Sequence, residues 1–447
     1  MTSNKQTLLV HAYLPGASVP VPAGKLNLIE AQTRVESCSF VYGLRYLSRR
    51  GSLEVDPVGL GFLQGQSVRG RELFPESLPL FGGIRDAAPD AWGRRVIEAK
   101  LKVPANSLAE SVYLLEAGGN RVGALEITQD GAQPKGPTQT DGLRRLHYLL
   151  EAVERIEQGF PVPANLHEIF EAGSSMGGMR PKATLIDDQG RHWLAKFPSL
   201  GDRGFNVPRV ERATLELARA AGLRVPATGL HEIGSGRTCM LIERFDRTGQ
   251  AEAVGRRHYI TGLTLMNLHE TESITSSYAA LADAMRRHLS AESLREDLVE
   301  LFGRMVFNIL VNNDDDHLRN HGFVLIEHPA QVPQVGLQEP AQAVRLAWRL
   351  SPLYDVVPRP SLSQSRRLHL GVGQYGREAS LPNALSWSER FGLPRAAAIA
   401  VIERIWSAVR EWKGQFEAAG ATGDDIDGIS PAFLHARELG GREVGLG

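Results

Sequence analysis

The run Asn312-Asn313-Asp314-Asp315-Asp316-His317-Leu318-Arg319-Asn320 sets three carboxylates beside amides, an imidazole and a guanidinium, directly behind the apolar stretch Leu301–Val311. Charge at that density persists there only where solvent, a cation or a charged substrate compensates it, so the run marks a site. Asp315 and Asn320 stand five positions apart, the offset between the base and the metal-binding asparagine of a protein-kinase catalytic loop. In that chemistry Asp315 accepts or orients the proton of an attacking hydroxyl, and the amide oxygen of Asn320 binds Mg²⁺ without adding charge. Asp355, in Leu350-Ser351-Pro352-Leu353-Tyr354-Asp355 after an expected strand, supplies a carboxylate to bridge the metal. Oxygen ligands of this kind favour Mg²⁺ over zinc. Each of these residues could instead serve a turn or a helix cap, where Asp and Asn are common.

Phosphoryl transfer also needs cations on the phosphates. Lys196 lies in the apolar segment Trp193-Leu194-Ala195-Lys196-Phe197-Pro198, and Glu211, fifteen residues later, can pair with it and hold its ammonium toward the phosphates. The plainer alternative is a surface lysine on an edge strand, and Glu211 weighs against it. The segment Gly173-Ser174-Ser175-Met176-Gly177-Gly178-Met179-Arg180-Pro181-Lys182 precedes an expected strand, and backbone N–H groups around Gly177 and Gly178 could cradle phosphate. It is not a Walker A loop, because Met179 follows Gly178 where a lysine is needed, and its glycine spacing differs from the three-glycine kinase loop. An ordinary loop is therefore an equal reading. The hydroxyls of Ser174 and Ser175 are open to phosphorylation, which would make the segment a switch.

The elements that must position these groups are legible as changes of period. Residues 7–70 alternate short apolar runs with Gly and Pro, which predicts small strands at Leu8–Tyr13, Phe40–Leu47 and Leu53–Val58. Pro89 is suited to start a helix. From about residue 170 the pattern predicts strand, strand, helix, strand, strand: Ala183–Ile186 and His192–Phe197 around the turn at 187–190, a helix opened by Pro208 and closed by Gly222, then Thr228–Ile233 and Thr238–Ile242. Beyond residue 260 the spacing turns helical, with Leu294, Leu298, Leu301, Phe302, Met305, Ile309 and Leu310 on one broad face and a further helix over Pro394–Trp412. The expected class is α+β, with a two-lobed protein-kinase-like arrangement. Its expected divisions are a β-rich N-terminal subdomain over 1–115, the rest of the N-lobe over 116–250, and a helical C-lobe over 251–447.

The chain's 447 residues allow one large or two to three ordinary domains. A formal net charge of -1 argues against nonspecific nucleic-acid binding through bulk positive charge and assigns DNA recognition more naturally to a partner. Cys38 and Cys239 match no metal-binding spacing or disulfide framework, which points to a reducing cytoplasm. No apolar run approaches 18 residues, so no membrane span is expected.

In combination these segments resemble the HipA family of bacterial serine/threonine kinases, the toxin halves of type II toxin–antitoxin pairs. Gly173–Ala183, Leu194–Pro198, Ile242-Glu243-Arg244-Phe245-Asp246-Arg247, Asp315–Asn320 and Tyr354-Asp355 follow the family's order, and the likeness extends back to Ile84–Arg95. The resemblance implies ATP and Mg²⁺ as cofactors, with Asp315 as catalytic aspartate, Asn320 and Asp355 as metal ligands, and Lys196 on the ATP phosphates. It implies that Glu243 and Phe245 meet adenine, that Gly177 and Gly178 belong to the nucleotide loop, and that His317 and Arg319 contact phosphate or brace the catalytic loop. Ser175, with Ser174 as the alternative, corresponds to a serine whose autophosphorylation expels the loop. Asp316 occupies a position often held by a small residue, and its extra charge is expected to alter metal or substrate preference. The resemblance further implies a protein substrate connected with translation, such as an aminoacyl-tRNA synthetase, growth arrest, and a small helix-turn-helix antitoxin of the HipB kind through which DNA is contacted.

Two competing readings stand beside this one. A metal-dependent hydrolase or nuclease would use Asp314, Asp315, Asp316, His317 and His321, leaving Lys196, Glu243 and the glycine loop without a joint purpose. A catalytically idle kinase-like binding protein would not require every reactive position to be filled.

Overall fold

The period-two burial of Leu8, Val10 and Ala12 gives one apolar strand face, as a half-buried antiparallel sheet requires. The computed structural model describes residues 4–49, 51–62, 67–136, 142–175, 178–234, 236–249, 254–329 and 344–446. Its first sheet runs Arg34–Tyr42, Val21–Ala31, Asn4–Ala12, Leu125–Gln129, with every neighbour antiparallel. The expected strand at Phe40–Leu47 ends at Tyr42, and a helical turn follows at Leu44–Leu47. Leu53–Val58 forms no strand. There the tyrosines do the sheet's work: Leu53 N donates to Tyr46 Oη (3.2 Å), Val55 N donates to Tyr42 Oη (2.9 Å), and Tyr46 Oη donates to Leu53 O (2.7 Å). Pro89 stands just outside the helix Ala91–Leu101, whose first N–H is accepted by Asp90 Oδ1 at 2.8 Å.

The second sheet, in the order Lys182–Ile186, His192–Lys196, Thr238–Glu243, Thr228–Glu232, is the predicted strand pattern realised. One face, with Ala183, Leu185, Trp193, Ala195 and Leu241, packs on the helix Leu146–Gln158 in a core of its own. The opposite face carries Leu194, Met240 and Ile242 against the larger core. Alternation puts Lys196 on that second face. The predicted helix spans Val207–Ala220: Asn206 Oδ1 accepts from Arg209 N at 2.9 Å, Pro208 lies in the first turn, and Gly222 at φ +77° ends it.

The long helix Ala291–Val311 is buried on almost every side from Leu298 onward, between Tyr278–His288 and Arg395–Val409. The sequence expectation of one helix over Pro394–Trp412 resolves into two, because a turn at Arg410–Glu411 separates Arg395–Val409 from Trp412–Ala418. Together these elements form a mixed α/β N-terminal region and a largely helical C-terminal region, a two-lobed kinase-like fold.

Register explains how two distant loops meet. Gly322–Pro329 and Val344–Leu350 pair antiparallel with Phe323 opposite Leu350, so the entrance of one strand and the exit of the other share an end. Ser351 N donates to Gly322 O at 2.8 Å, which closes that end. The catalytic-loop candidates 312–321 and the segment leading to Asp355 therefore emerge side by side.

Candidate functional site

Lys196 is 6% exposed on an interior strand, hydrogen-bonded on both sides, which overturns the edge-strand alternative. Its Nζ donates to Glu211 Oε1 at 2.5 Å and to Asp355 Oδ1 at 3.0 Å. Burial works against the ammonium, but Asp355 and Glu211 outweigh it and raise the Lys196 pKa. Lys196 in turn holds the Asp355 carboxyl well below the usual carboxylate range.

Asp355 itself has φ +59°, a left-handed conformation uncommon outside glycine. Its neighbour fixes it there: Tyr354 Oη donates to Arg319 O at 2.7 Å and accepts from Tyr259 Oη at 2.8 Å. The metal-ligand candidate is thus tied to the candidate catalytic loop through one tyrosine.

That loop starts where Asn312, at φ +52°, ends the long helix. Asn312 also bonds the backbone of Arg359 twice, through Arg359 N to Asn312 O (3.0 Å) and Asn312 Nδ2 to Arg359 O (2.5 Å). The anchored Arg359 side chain reaches back to Asp315 Oδ2 at 2.6 Å and Asp314 Oδ1 at 3.2 Å. Asn320 Nδ2 donates to Asp315 O at 3.2 Å, which leaves the amide oxygen as the atom that could ligate a cation. Arg319 pairs with Glu270, and its pKa rises because Asp90, Asp86 and Glu270 outweigh its burial.

Asp316, expected to alter metal or substrate preference, does not line the cleft. It is 1% exposed inside the helical lobe, accepting from Tyr278 Oη (2.5 Å), Asn308 Nδ2 (2.8 Å) and His321 Nε2 (2.9 Å). The Asp/His run is therefore split: Asp314 and Asp315 turn to Arg359, whereas Asp316 and His321 bond each other in the core. Among the described residues no group of three or more His, Cys, Asp or Glu side chains could hold a metal ion, so the cluster assumed by the hydrolase reading is not formed.

A cleft of about 740 Å³ gathers Lys196, Asp355, Asp315, His317, Arg319 and Asn320 with Glu243, Phe245, Ser175 and Gly178. Glu243 ends its strand and donates its N–H to Ala227 O at 2.9 Å, and the Phe245 ring lies 5.8 Å from Tyr354 and 6.2 Å from Tyr259. Arg244 and Arg247 clamp Asp246, which accepts from Gly123 N at 2.8 Å, so this connecting segment is fastened to the N-terminal part of the chain. Ser175 is 3% exposed and its Oγ has no hydrogen-bond partner among the described residues, while Ser174 Oγ donates to Ala117 O at 3.3 Å. Gly177 lies outside the described residues.

Sequence reasoning passed over Lys182. It sits directly across from Lys196 in the hairpin, and burial, aided by the Lys196 charge, pushes its pKa down to about 8. The signal was available, because a turn at 187–190 that pairs Ile186 with His192 also pairs Lys182 with Lys196. Arg359 was missed because no local pattern links it to a carboxylate 44 residues earlier.

Comparison with known proteins gives the family profile described as HipA-like C-terminal domain over residues 174–412. A Sinorhizobium fredii protein named "Putative kinase Y4dM" is 29% identical over 290 residues, covering 60% of this chain and 63% of that protein. A second from the same organism, "Putative kinase Y4mE", is 25% identical over 321 residues, covering 66% and 68%. The match to the first of these relatives thus spans under two thirds of its length. In solved structures, the chain is similar to that of the Shewanella oneidensis MR-1 toxin–antitoxin system HipA, HipB and its operator DNA complex, with TM-score 0.65, 15% identity, and coverage of 97% of this chain and 96% of that one. At that identity the likeness concerns the fold.

Proposed function

The chain belongs to the HipA-like C-terminal domain family, and from that premise we propose that it is a protein serine/threonine kinase that transfers the γ-phosphoryl group of ATP. The observation that carries this reading is the convergence of Lys196, Glu211 and Asp355, with Asp315 lining the same cleft.

In this reading Lys196, braced by Glu211, and Lys182 beside it hold the phosphates. The adenine end lies against Glu243 and Phe245. Asp355 and Asn320 would hold Mg²⁺, and their donor set fits, because Mg²⁺ takes one or two protein oxygens and completes its shell with substrate phosphates and water. Bound there, the cation supplies neutralisation of charge on the β- and γ-phosphoryl oxygens. Asp315 orients the acceptor hydroxyl, and Arg359 fixes one oxygen of its carboxylate so that the other can accept. The transition state is loose, so placement and charge compensation carry most of the acceleration.

The acceptor includes Ser175, whose buried hydroxyl lines the cleft without a partner among the described residues. The wider role we propose is that of a toxin whose target is a translation protein such as an aminoacyl-tRNA synthetase. The Shewanella structure is a complex of HipA with HipB and operator DNA, which supports a small antitoxin as partner here, with DNA contacted through the complex. Among the described residues no helix is long and apolar enough to cross a membrane.

Incubation with ATP labelled at the γ-phosphorus tests the reading. Label on the wild-type chain or on an added protein, absent with Asp315→Asn, is expected. Equal labelling by both proteins would overturn the assignment of Asp315.

A further inference from the structure

The glycine-bearing segment is fastened to the N-terminal part of the chain by contacts that the proposed reaction leaves unexplained. Gly178 N donates to Asp90 Oδ2 at 3.1 Å, and Gly178 O accepts from Trp92 N at 3.0 Å. The Trp92 indole Nε1 then donates to Lys182 O at 2.8 Å. Two residues at the start of the helix Ala91–Leu101 thus hold both polar backbone groups of Gly178 and the carbonyl of Lys182.

These residues are built to hold position. Trp92 is fully buried in the smaller core with Val96, Ala183 and Ala195, so its indole has little freedom to follow a moving partner. Asp90 divides its carboxylate, with Oδ1 capping the helix at Ala91 N and Oδ2 reaching Gly178 N. Burial disfavours its charge, but Arg319 from the catalytic loop and these N–H donors outweigh that and lower its pKa. Gly178 has φ +89°, and a Cβ there would collide with the Lys182 ammonium, so Gly178 and the Lys182 side chain are packed together.

We propose that Asp90 and Trp92 are positioning residues that hold Gly178 and Lys182 against the cleft, so that Lys182 stands beside Lys196 where phosphates bind. The proposal rests on the kinase reading for its consequence, but the holding itself does not. It assigns to the N-terminal part of the chain a share in the nucleotide site that no residue of the catalytic loop supplies.

The test uses the full chain carrying Asp90→Ala, Trp92→Phe or Asp90→Asn. Trp92→Phe keeps an aromatic ring in the core while removing the N–H donor and part of the indole's volume, and Asp90→Asn keeps an acceptor oxygen. Hydrogen exchange of the amides at 178–186 is read without nucleotide. Loss of one such bond, partly charge-assisted, is expected to speed that exchange by about tenfold in Asp90→Ala and Trp92→Phe. Exchange in Ala291–Val311 stays unchanged, and Asp90→Asn returns most of the protection. In turnover the same two variants raise KM for ATP several-fold with kcat less affected. Unchanged exchange at 178–186 in both variants would overturn the proposal. Faster exchange in a chain that never turns over ATP would leave the holding intact and remove the kinase reading instead.

Discussion

Lys196 Nζ stands 3.0 Å from Asp355 Oδ1 although the two residues are 159 positions apart in the chain. The strand holding Lys196 and the loop holding Asp355 belong to different parts of the fold, so their meeting is a property of how the two lobes close on one cleft. The Lys196 ammonium is shared between the enclosed Glu211 carboxylate and the half-open Asp355 carboxylate. Only the second is open to solvent, where the proposed nucleotide-bound cation would replace the lysine.

Replacing Lys196 by Met strands Glu211, which is 1% exposed, without its counter-ion. Breaking a buried pair from one side costs about 3–5 kcal/mol. Urea unfolding of Lys196→Met is expected to show a loss of that order, and the double variant Lys196→Met with Glu211→Met is expected to recover part of it. Equal stability of wild type and single variant would contradict the buried pair.

Asp315 is half exposed and, among the described residues, its carboxylate pairs only with the half-exposed Arg359. Pairs of that kind contribute about 0–1 kcal/mol. Asp315→Asn is therefore expected to leave the melting curve nearly unmoved while lowering phosphoryl transfer by about a hundredfold to ten-thousandfold. A variant that unfolds as it loses activity would show that Asp315 is structural.

Ser174 and Ser175 separate on geometry, one bonded to Ala117 O and the other unpartnered among the described residues and lining the cleft. Peptide mass spectrometry after incubation with Mg·ATP is expected to find phosphate on Ser175, lost in Ser175→Ala and retained in Ser174→Ala. The opposite pattern would move the acceptor to Ser174.

Burial and the neighbouring Lys196 charge place the Lys182 pKa at about 8 in the nucleotide-free chain. The folded state then holds fewer protons than the unfolded chain between about pH 8 and the ordinary lysine range near 10.4, so Lys182 makes stability rise with pH across that window. Phosphate binding favours the ammonium, so ATP binding near pH 8 should take up protons. Calorimetric titration in two buffers of different ionisation enthalpy reads that uptake, and Lys182→Met is expected to abolish it. Identical heats in both buffers for the wild type would contradict a lysine poised in this way.

The local patterns were readable where one element makes the site. The turn at 187–190, the proline-started helix and the apolar face of Ala291–Val311 follow from spacing alone, and with them the approach of Lys196 to Glu211. What the sequence concealed was direction. Asp315 and Asp316 are adjacent and chemically alike, yet one faces the cleft and the other is consumed by Tyr278, Asn308 and His321. Only the positions of those three partners, set by packing of separate elements, decide which way each carboxylate turns. The same holds for Leu53–Val58, which has the composition of a strand but finds tyrosine hydroxyls before it finds a sheet neighbour.

In the proposed kinase, residues from both lobes surround one nucleotide with its cation. Equilibrium binding of ATP with and without Mg²⁺, by the wild type and by Lys196→Met and Asp355→Asn, tests it most directly. The wild type is expected to bind, Lys196→Met to bind weakly under both conditions, and Asp355→Asn to lose chiefly the gain that Mg²⁺ brings. A wild-type chain that fails to bind Mg·ATP, or variants that bind it as the wild type does, would contradict the account.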